Sequence, residues 1–307
     1  MAAGQLPAGV RAWRDGGGRI ELGAHRVFVR EHTGTGPPIL LLHGYPSSSY
    51  DWREVIARLP ERRLTTLDFL GFGLSDKPPD HEYSLLGQAD LVEALAARYR
   101  SEPVVLVAHD MATSVVTELL ARDLENRLSF SIAAVLLFNG SMVIEKASLT
   151  VGQKLLRSRV GPIFARLSNQ RSFRIEFARL FSAEHPLTAE EAAAQWALLA
   201  HAGGHRIMDR LSFYLHERST YAERWHGALR DWPGRLELAW AGRDPVCTEA
   251  VLEAVLALRP GAPVTRLSEL GHYPQIEDPA TAARLIEALV VGVAAGTGTT
   301  ARGAAPS

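Results

Sequence analysis

Short, almost continuous apolar runs alternate along this chain with amphipathic stretches of helical period, and the alternation is regular at both ends of the sequence. Residues 38–42, 64–69, 104–108, 132–138 and 236–240 read as strands, with 264–267 as a last one. Strands that lack polar alternation suit a parallel sheet covered on both faces. Helices are predicted between them at 51–59, 85–99, 111–123, 249–258 and 280–290. Strand–helix alternation of this kind predicts a doubly wound α/β sheet. Residues 20–22 and 26–29 add an antiparallel hairpin at its edge.

The alternation stops between residues 141 and 229, where the pattern is helical throughout. Helices are expected at 155–167, 171–181, after Thr188 and at 204–218, with Thr188 and Glu191 in the T-x-x-E spacing of a capping box. Sheet-type patterning resumes directly afterwards. The expected organisation is therefore a core of residues 1–140 and 230–295, a helical lid over the strand ends at 141–229, and a disordered Gly/Ala/Thr/Ser tail at 296–307.

Composition narrows the function classes. The 307 residues are 47% hydrophobic and 22% charged, with a net charge of −1 and no basic stripe, so a nucleic-acid partner is not expected. The single cysteine, Cys247, cannot form an intramolecular disulfide, and no Cys/His cluster has metal-ligand spacing. The opening residues lack the apolar core of a signal peptide, and no apolar run reaches the roughly 20 residues that cross a bilayer. The expectation is a cytoplasmic protein with no membrane span, no metal and no organic cofactor. Oligomeric state is not readable.

The chemistry begins where the strand Val-Val-Leu-Val-Ala runs into Ala108-His109-Asp110-Met111-Ala112 and then a helix. A strand–turn–helix with small residues two before and two after the central position is the setting of a nucleophile elbow. Here the central residue is Asp110, not serine. A carboxylate is suited to displacing a leaving group from an sp³ carbon, which makes an ester of the enzyme itself. Water must then hydrolyse that ester with the help of a general base. His272, in the loop after the last strand, and Asp244, just beyond strand 236–240, complete the chain order nucleophile, acid, base. His43-Gly44-Tyr45-Pro46 follows the first parallel strand. Gly44 permits a close backbone approach, and the N–H groups of Tyr45 and Met111 are placed to stabilise developing negative charge. His43 and His109 are read as organising the surrounding loops, and Asp76 as a turn residue.

The segments HGYP, DFLGFGLSDKP, AHDMA, GRDPV and GHYPQIEDP together resemble the epoxide hydrolase and haloalkane dehalogenase branch of the α/β-hydrolase fold family. They are especially similar to its mesoderm-specific transcript group. The resemblance runs from about residue 11 to 290 and is weakest in the lid. It implies Asp110 as nucleophile, His272 as base and Asp244 as its partner. The substrate would be a small apolar molecule with an electrophilic carbon.

The leaving group divides this branch. Dehalogenases similar to this chain carry side-chain N–H donors where Tyr45 and Met111 stand, so a lid residue such as Trp196 or Trp225 would have to hold a halide. Epoxide hydrolases use lid tyrosines on the ring oxygen, and Tyr214 stands where such a tyrosine is expected, with Tyr221 beside it. Epoxide opening to a diol is the leading reading. Haloalkane dehalogenation, carboxylester or lactone hydrolysis, and a non-catalytic binding protein of this fold stay open.

Overall fold

The structure, a computed structural model, describes residues 6–99 and 101–300, with only the backbone path of 296–300. Eight strands form one sheet: β1 (Gly18–Leu22), β2 (His25–His32), β3 (Thr35–Leu42), β4 (Arg62–Leu67), β5 (Val104–His109), β6 (Ile132–Phe138), β7 (Leu236–Ala241) and β8 (Val264–Leu267). Their order is β1-β2-β4-β3-β5-β6-β7-β8. The β1–β2 hairpin and the β2–β4 pair are antiparallel, and every other pair is parallel. This is the expected architecture. The central strands are continuous apolar runs because both faces are covered. Leu40, Leu42, Leu106 and Ala108 enter one core, while Ile39, Leu41, Val105 and Val107 enter the other, following the two-residue period of a strand.

The helices flanking the sheet lie near their predicted positions, with local exceptions. The stretch predicted as one helix at 51–59 is a tight turn, Ser49–Trp52, followed by a single turn of α-helix, Arg53–Ile56. Asp51 is buried there and accepts from Ser47 Oγ and Gln195 Nε2. Helix Ala8–Asp15, which buries Val10 and Trp13, has only those two core anchors and was not expected. The last helix runs Pro279–Thr300, past residue 296 where order was expected to end. Each residue that continues an existing helix adds a hydrogen bond, which offsets the weak helix preference of the Gly and Thr residues at 296–300. Residues 301–307, the rest of the expected tail, lie outside the described residues.

The connection from β6 to β7 is helical, as expected, but more finely divided. The helix predicted at 155–167 is two, Val151–Leu156 and Gly161–Leu167, because Pro162 fits only the first turn of a helix. The next helices are Gln170–Ala178 and Ala189–Ala200. The stretch 204–218 is broken into turns and short helices, including Tyr214–Thr220, after Ala202 and Gly203 take positive φ. A further helix, Ala222–Asp231, precedes β7. Thr188 caps its helix through the Glu191 N–H at 3.1 Å, but the Glu191 carboxylate turns to Arg53 instead of closing the capping box.

Candidate active site

Asp110 lies between β5 and the helix Met111–Leu124 with φ 49° and ψ −110°. A non-glycine residue in such a conformation costs on the order of 1–3 kcal/mol and persists only where its surroundings impose it. Those surroundings are explicit. The Asp110 N–H donates to the Asn139 carbonyl at 3.0 Å, and its own carbonyl accepts from the Thr113 N–H at 3.1 Å and Thr113 Oγ at 2.6 Å. Ala108 and Ala112, on either side, are fully buried.

The Asp110 carboxylate meets the loop after β3. Its Oδ2 accepts from the Tyr45 N–H at 2.9 Å. A methyl group on Gly44 would stand 2.6 Å from Asp110 Cβ and 2.9 Å from Oδ2, so this approach requires glycine. His43 organises the same loop. Its Nδ1 donates to the Gly44 carbonyl at 2.8 Å and its Nε2 accepts from the Phe69 N–H at 3.0 Å. Burial lowers its basicity, consistent with a neutral ring.

Behind Asp110, the loops after β7 and β8 bring Asp244 and His272 together. Nδ1 of His272 donates to Asp244 Oδ2 at 2.7 Å. The same oxygen accepts from Asn139 Nδ2 at 2.7 Å, while Oδ1 accepts from the N–H groups of Val246 and Cys247 at 2.7 and 3.0 Å. Burial opposes the Asp244 charge, but His272 and these donors outweigh it and hold the carboxyl below its ordinary range. Burial likewise opposes a charged His272, yet Asp244 and the nearby Asp110 raise it well above 6.5. His109 fixes the loop: its Nε2 donates to the His272 carbonyl at 2.6 Å, and its Nδ1 accepts from Gln275 Nε2 at 3.1 Å. Burial pushes His109 down to about 3.

Asp110 and His272 face one cavity of about 780 Å³, open solvent at its mouth included. Tyr45 and Pro46 form part of its wall, and helices of the β6–β7 connection supply most of the remainder, including Gln153, Leu156, Phe164, Phe173 and Phe177. The wall is mainly apolar, as small-molecule sites usually are. Asp244 supports His272 from behind this wall.

Tyr214 is buried with its ring 5.4 Å from that of Tyr45, and its hydroxyl accepts from Gln153 Nε2 at 3.4 Å. It lines a small adjacent void with Met111 and Phe72, so Gln153 stands between it and the main cavity. Burial and the Asp110 charge raise the Tyr214 hydroxyl well above 10. Tyr221 packs on Trp225 and lines neither space. The Trp225 N–H is committed to Glu118 at 2.9 Å, and Trp196 packs against Phe173 and His205. Neither tryptophan lines the cavity.

Three contributors escaped the sequence reading. Asn139, the first residue after β6, bridges the elbow to Asp244, and its place at a strand end was a usable signal. Gln153 was hidden because the helix carrying it was expected to begin later. Arg218 has no sequence signature at all. It is completely buried, with Nε donating to Ser114 Oγ at 2.8 Å, Nη1 to Ser141 Oγ at 2.6 Å and Nη2 to the Asp110 carbonyl at 3.0 Å.

Asp244, Cys247 and His272 present possible metal-ligand atoms within 4.8 Å of one another. The chemistry of this donor set favours hydrogen bonding. Both Asp244 oxygens already accept two bonds each, and burial pushes the Cys247 thiol up to about 12.

Comparison with known proteins agrees with this geometry at the level of family. Residues 39–285 match the family model described as the alpha/beta hydrolase family. LipZ of Mycobacterium tuberculosis, named as a hydrolase, is 52% identical over 282 residues, covering 92% of this chain and 98% of that protein. The mouse mesoderm-specific transcript protein is 33% identical over 287 residues, covering 90% of this chain and 86% of its own. Among solved structures, a haloalkane dehalogenase loop variant from Bradyrhizobium elkanii superposes with a TM-score of 0.74 at 21% identity, covering 92% of this chain and 99% of that one.

Proposed function

The chain belongs to the alpha/beta hydrolase family, and from that footing we propose that it is a hydrolase whose nucleophile is the Asp110 carboxylate, with epoxide opening to a diol as its reaction. The observation that carries the reading is the elbow itself: a carboxylate at positive φ, facing an apolar cavity shared with His272. The helical β6–β7 connection acts as the lid of that cavity. The single buried Cys247 suits the reducing interior of a cell, and cytoplasmic placement is part of the proposal.

The two carboxylate oxygens of Asp110 divide the work. Oδ2 is held by the Tyr45 N–H, which leaves Oδ1 to attack carbon. The new C–O bond forms as the carbon–leaving-oxygen bond breaks, and that oxygen departs with the electron pair and takes a proton from solvent water, leaving hydroxide that is neutralised in the second step. Gln153 lines the cavity and meets the oxygen first, with Tyr214 behind it as a hydrogen-bonding support. Oδ2 then becomes the ester carbonyl oxygen. In the second step, His272 Nε2 takes a proton from water, and the water oxygen adds to Cγ of Asp110. Negative charge develops on Oδ2, where the N–H groups of Tyr45 and Met111 stabilise it. Collapse expels the alkoxide, which takes the proton from His272, and the Asp110 carboxylic acid that remains ionises, returning to solvent the proton borrowed in the first step. Alkylation of Asp110 also removes one of the charges that raise His272, freeing the imidazole for its role as base.

Halide displacement is disfavoured because the side chains of Tyr45 and Met111 carry no N–H and the Trp225 N–H is committed to Glu118. The experiment is a product analysis over matched apolar epoxides and bromoalkanes. Diol formation without bromide release supports the proposal. Bromide release without diol formation overturns its choice of substrate.

A further inference from the structure

The outer face of the lid carries an unusual surface. Among the described residues, nine large apolar side chains are exposed, and six of them, Val151, Leu155, Val160, Ile163, Leu167 and Ile175, lie within residues 150–180. Leu167 is 72% exposed, Val151 61% and Ile163 59%. These residues sit on three successive helices, Val151–Leu156, Gly161–Leu167 and Gln170–Ala178, or at their ends. The inner faces of the same helices wall the cavity with Leu156, Phe164, Phe173 and Phe177. Helices with one face on a shared cavity turn their opposite faces outward together, so both faces of this layer are apolar and only one has a partner.

Charge identifies what would cover the other face. The same segment holds seven basic residues against one acid, Glu176, in a chain whose net charge is −1. All seven are exposed. Arg179 pairs with Glu176, whereas Lys154, Arg157, Arg159, Arg166, Arg171 and Arg174 form no ion pair among the described residues. A second copy of this face would set like charges against each other. Isolated aliphatic side chains interspersed with unpaired basic ones match an interfacial surface, which sinks its apolar groups below anionic headgroups and leaves its cations among them.

We propose that residues 150–180 dock the lid on an anionic lipid bilayer, bringing the cavity wall within reach of membrane-partitioned apolar substrates. No described helix is long and apolar enough to cross a membrane, so the association is peripheral. The proposal rests on the lid surface and not on the nucleophile, and the two can fail separately.

The test is flotation of the purified chain with phosphatidylcholine vesicles, with and without phosphatidylglycerol. Binding to the anionic vesicles at low ionic strength is expected, with weaker binding as salt rises. The double variants Arg171→Glu/Arg174→Glu and Ile163→Asp/Leu167→Asp should each lower the partition coefficient at least about tenfold. None of these four residues lines the cavity, so melting temperature and turnover of a water-soluble substrate should stay at wild-type values in both. The proposal is overturned if the wild type ignores anionic vesicles, binds neutral ones equally well, or dimerises through this face. It is also overturned if properly folded variants float like the wild type.

Discussion

Nη2 of Arg218 donates to the backbone carbonyl of Asp110 at 3.0 Å, from a guanidinium with no exposed surface. The contact ties the β6–β7 connection to the elbow residue, whose backbone is held at a costly φ. Its other two donor directions are taken by Ser114 and Ser141. A lysine keeps the charge but cannot span three acceptors with a planar fork. Arg218→Lys should therefore lose about 2 kcal/mol of stability through unsatisfied buried acceptors, read from denaturant midpoints. Turnover should fall at least about tenfold as the elbow loosens. A stability loss with unchanged kcat would show that the contact holds the fold without positioning Asp110.

Gly44 is constrained by the same carboxylate. In Gly44→Ala the new methyl group meets Asp110 Cβ at 2.6 Å, and both groups belong to tightly held backbone. Overpacking of this kind costs about 1–3 kcal/mol, and displacement of the nucleophile should lower single-turnover rates about a hundredfold. A melting curve and a rapid-quench measurement separate the two effects.

His109 gives the protein a defined acid sensitivity. Burial lowers its pKa in the folded state to about 3 from an ordinary value of 6.5. The unfolded chain therefore binds this proton more readily than the folded one. The contribution is fully present above 6.5 and is lost as pH falls from there toward 3. The melting temperature should fall over that window, and His109→Gln should flatten part of the slope. An identical slope in the variant would assign the acid sensitivity to other groups.

The activity profile is expected to point the other way. His272 must be unprotonated to activate water, and Asp244 raises its pKa above 6.5, a pull that persists once Asp110 is esterified. Where ester hydrolysis limits the rate, kcat should climb with pH along a limb centred above 6.5. Alkylation of Asp110 does not use the base, so its rate in His272→Gln should lack that limb. Stopped-flow measurement of both phases checks the assignment.

The sequence revealed the sheet because each central strand is apolar on both faces, a pattern that only a covered parallel sheet explains. Asp110, His272 and Asp244 were legible for a related reason. Each stands just after a strand, in a short motif whose small or turn-forming neighbours mark a backbone constraint. Tyr214 was legible as a residue of the helical β6–β7 connection but not in its orientation, since which side of Gln153 it occupies depends on packing across separate helices. Arg218 was invisible because a lid arginine ordinarily serves a solvated surface, and its burial arises only from three acceptors contributed by distant segments. The outward apolar residues at 150–180 were hidden because 155–167 and 171–181 read as ordinary amphipathic helices, and a second apolar face becomes visible only once their packing is known.

The central claim is that Asp110 forms a covalent ester, and trapping it tests that most directly. His272→Gln removes the base for the second step while leaving the nucleophile in place. After incubation with the epoxides that the wild type converts, the proteolytic peptide containing Asp110 should gain the full mass of the substrate, with fragmentation placing it on that aspartate. An unmodified peptide from a variant that has lost turnover, or undiminished turnover in Asp110→Ala, would contradict the account.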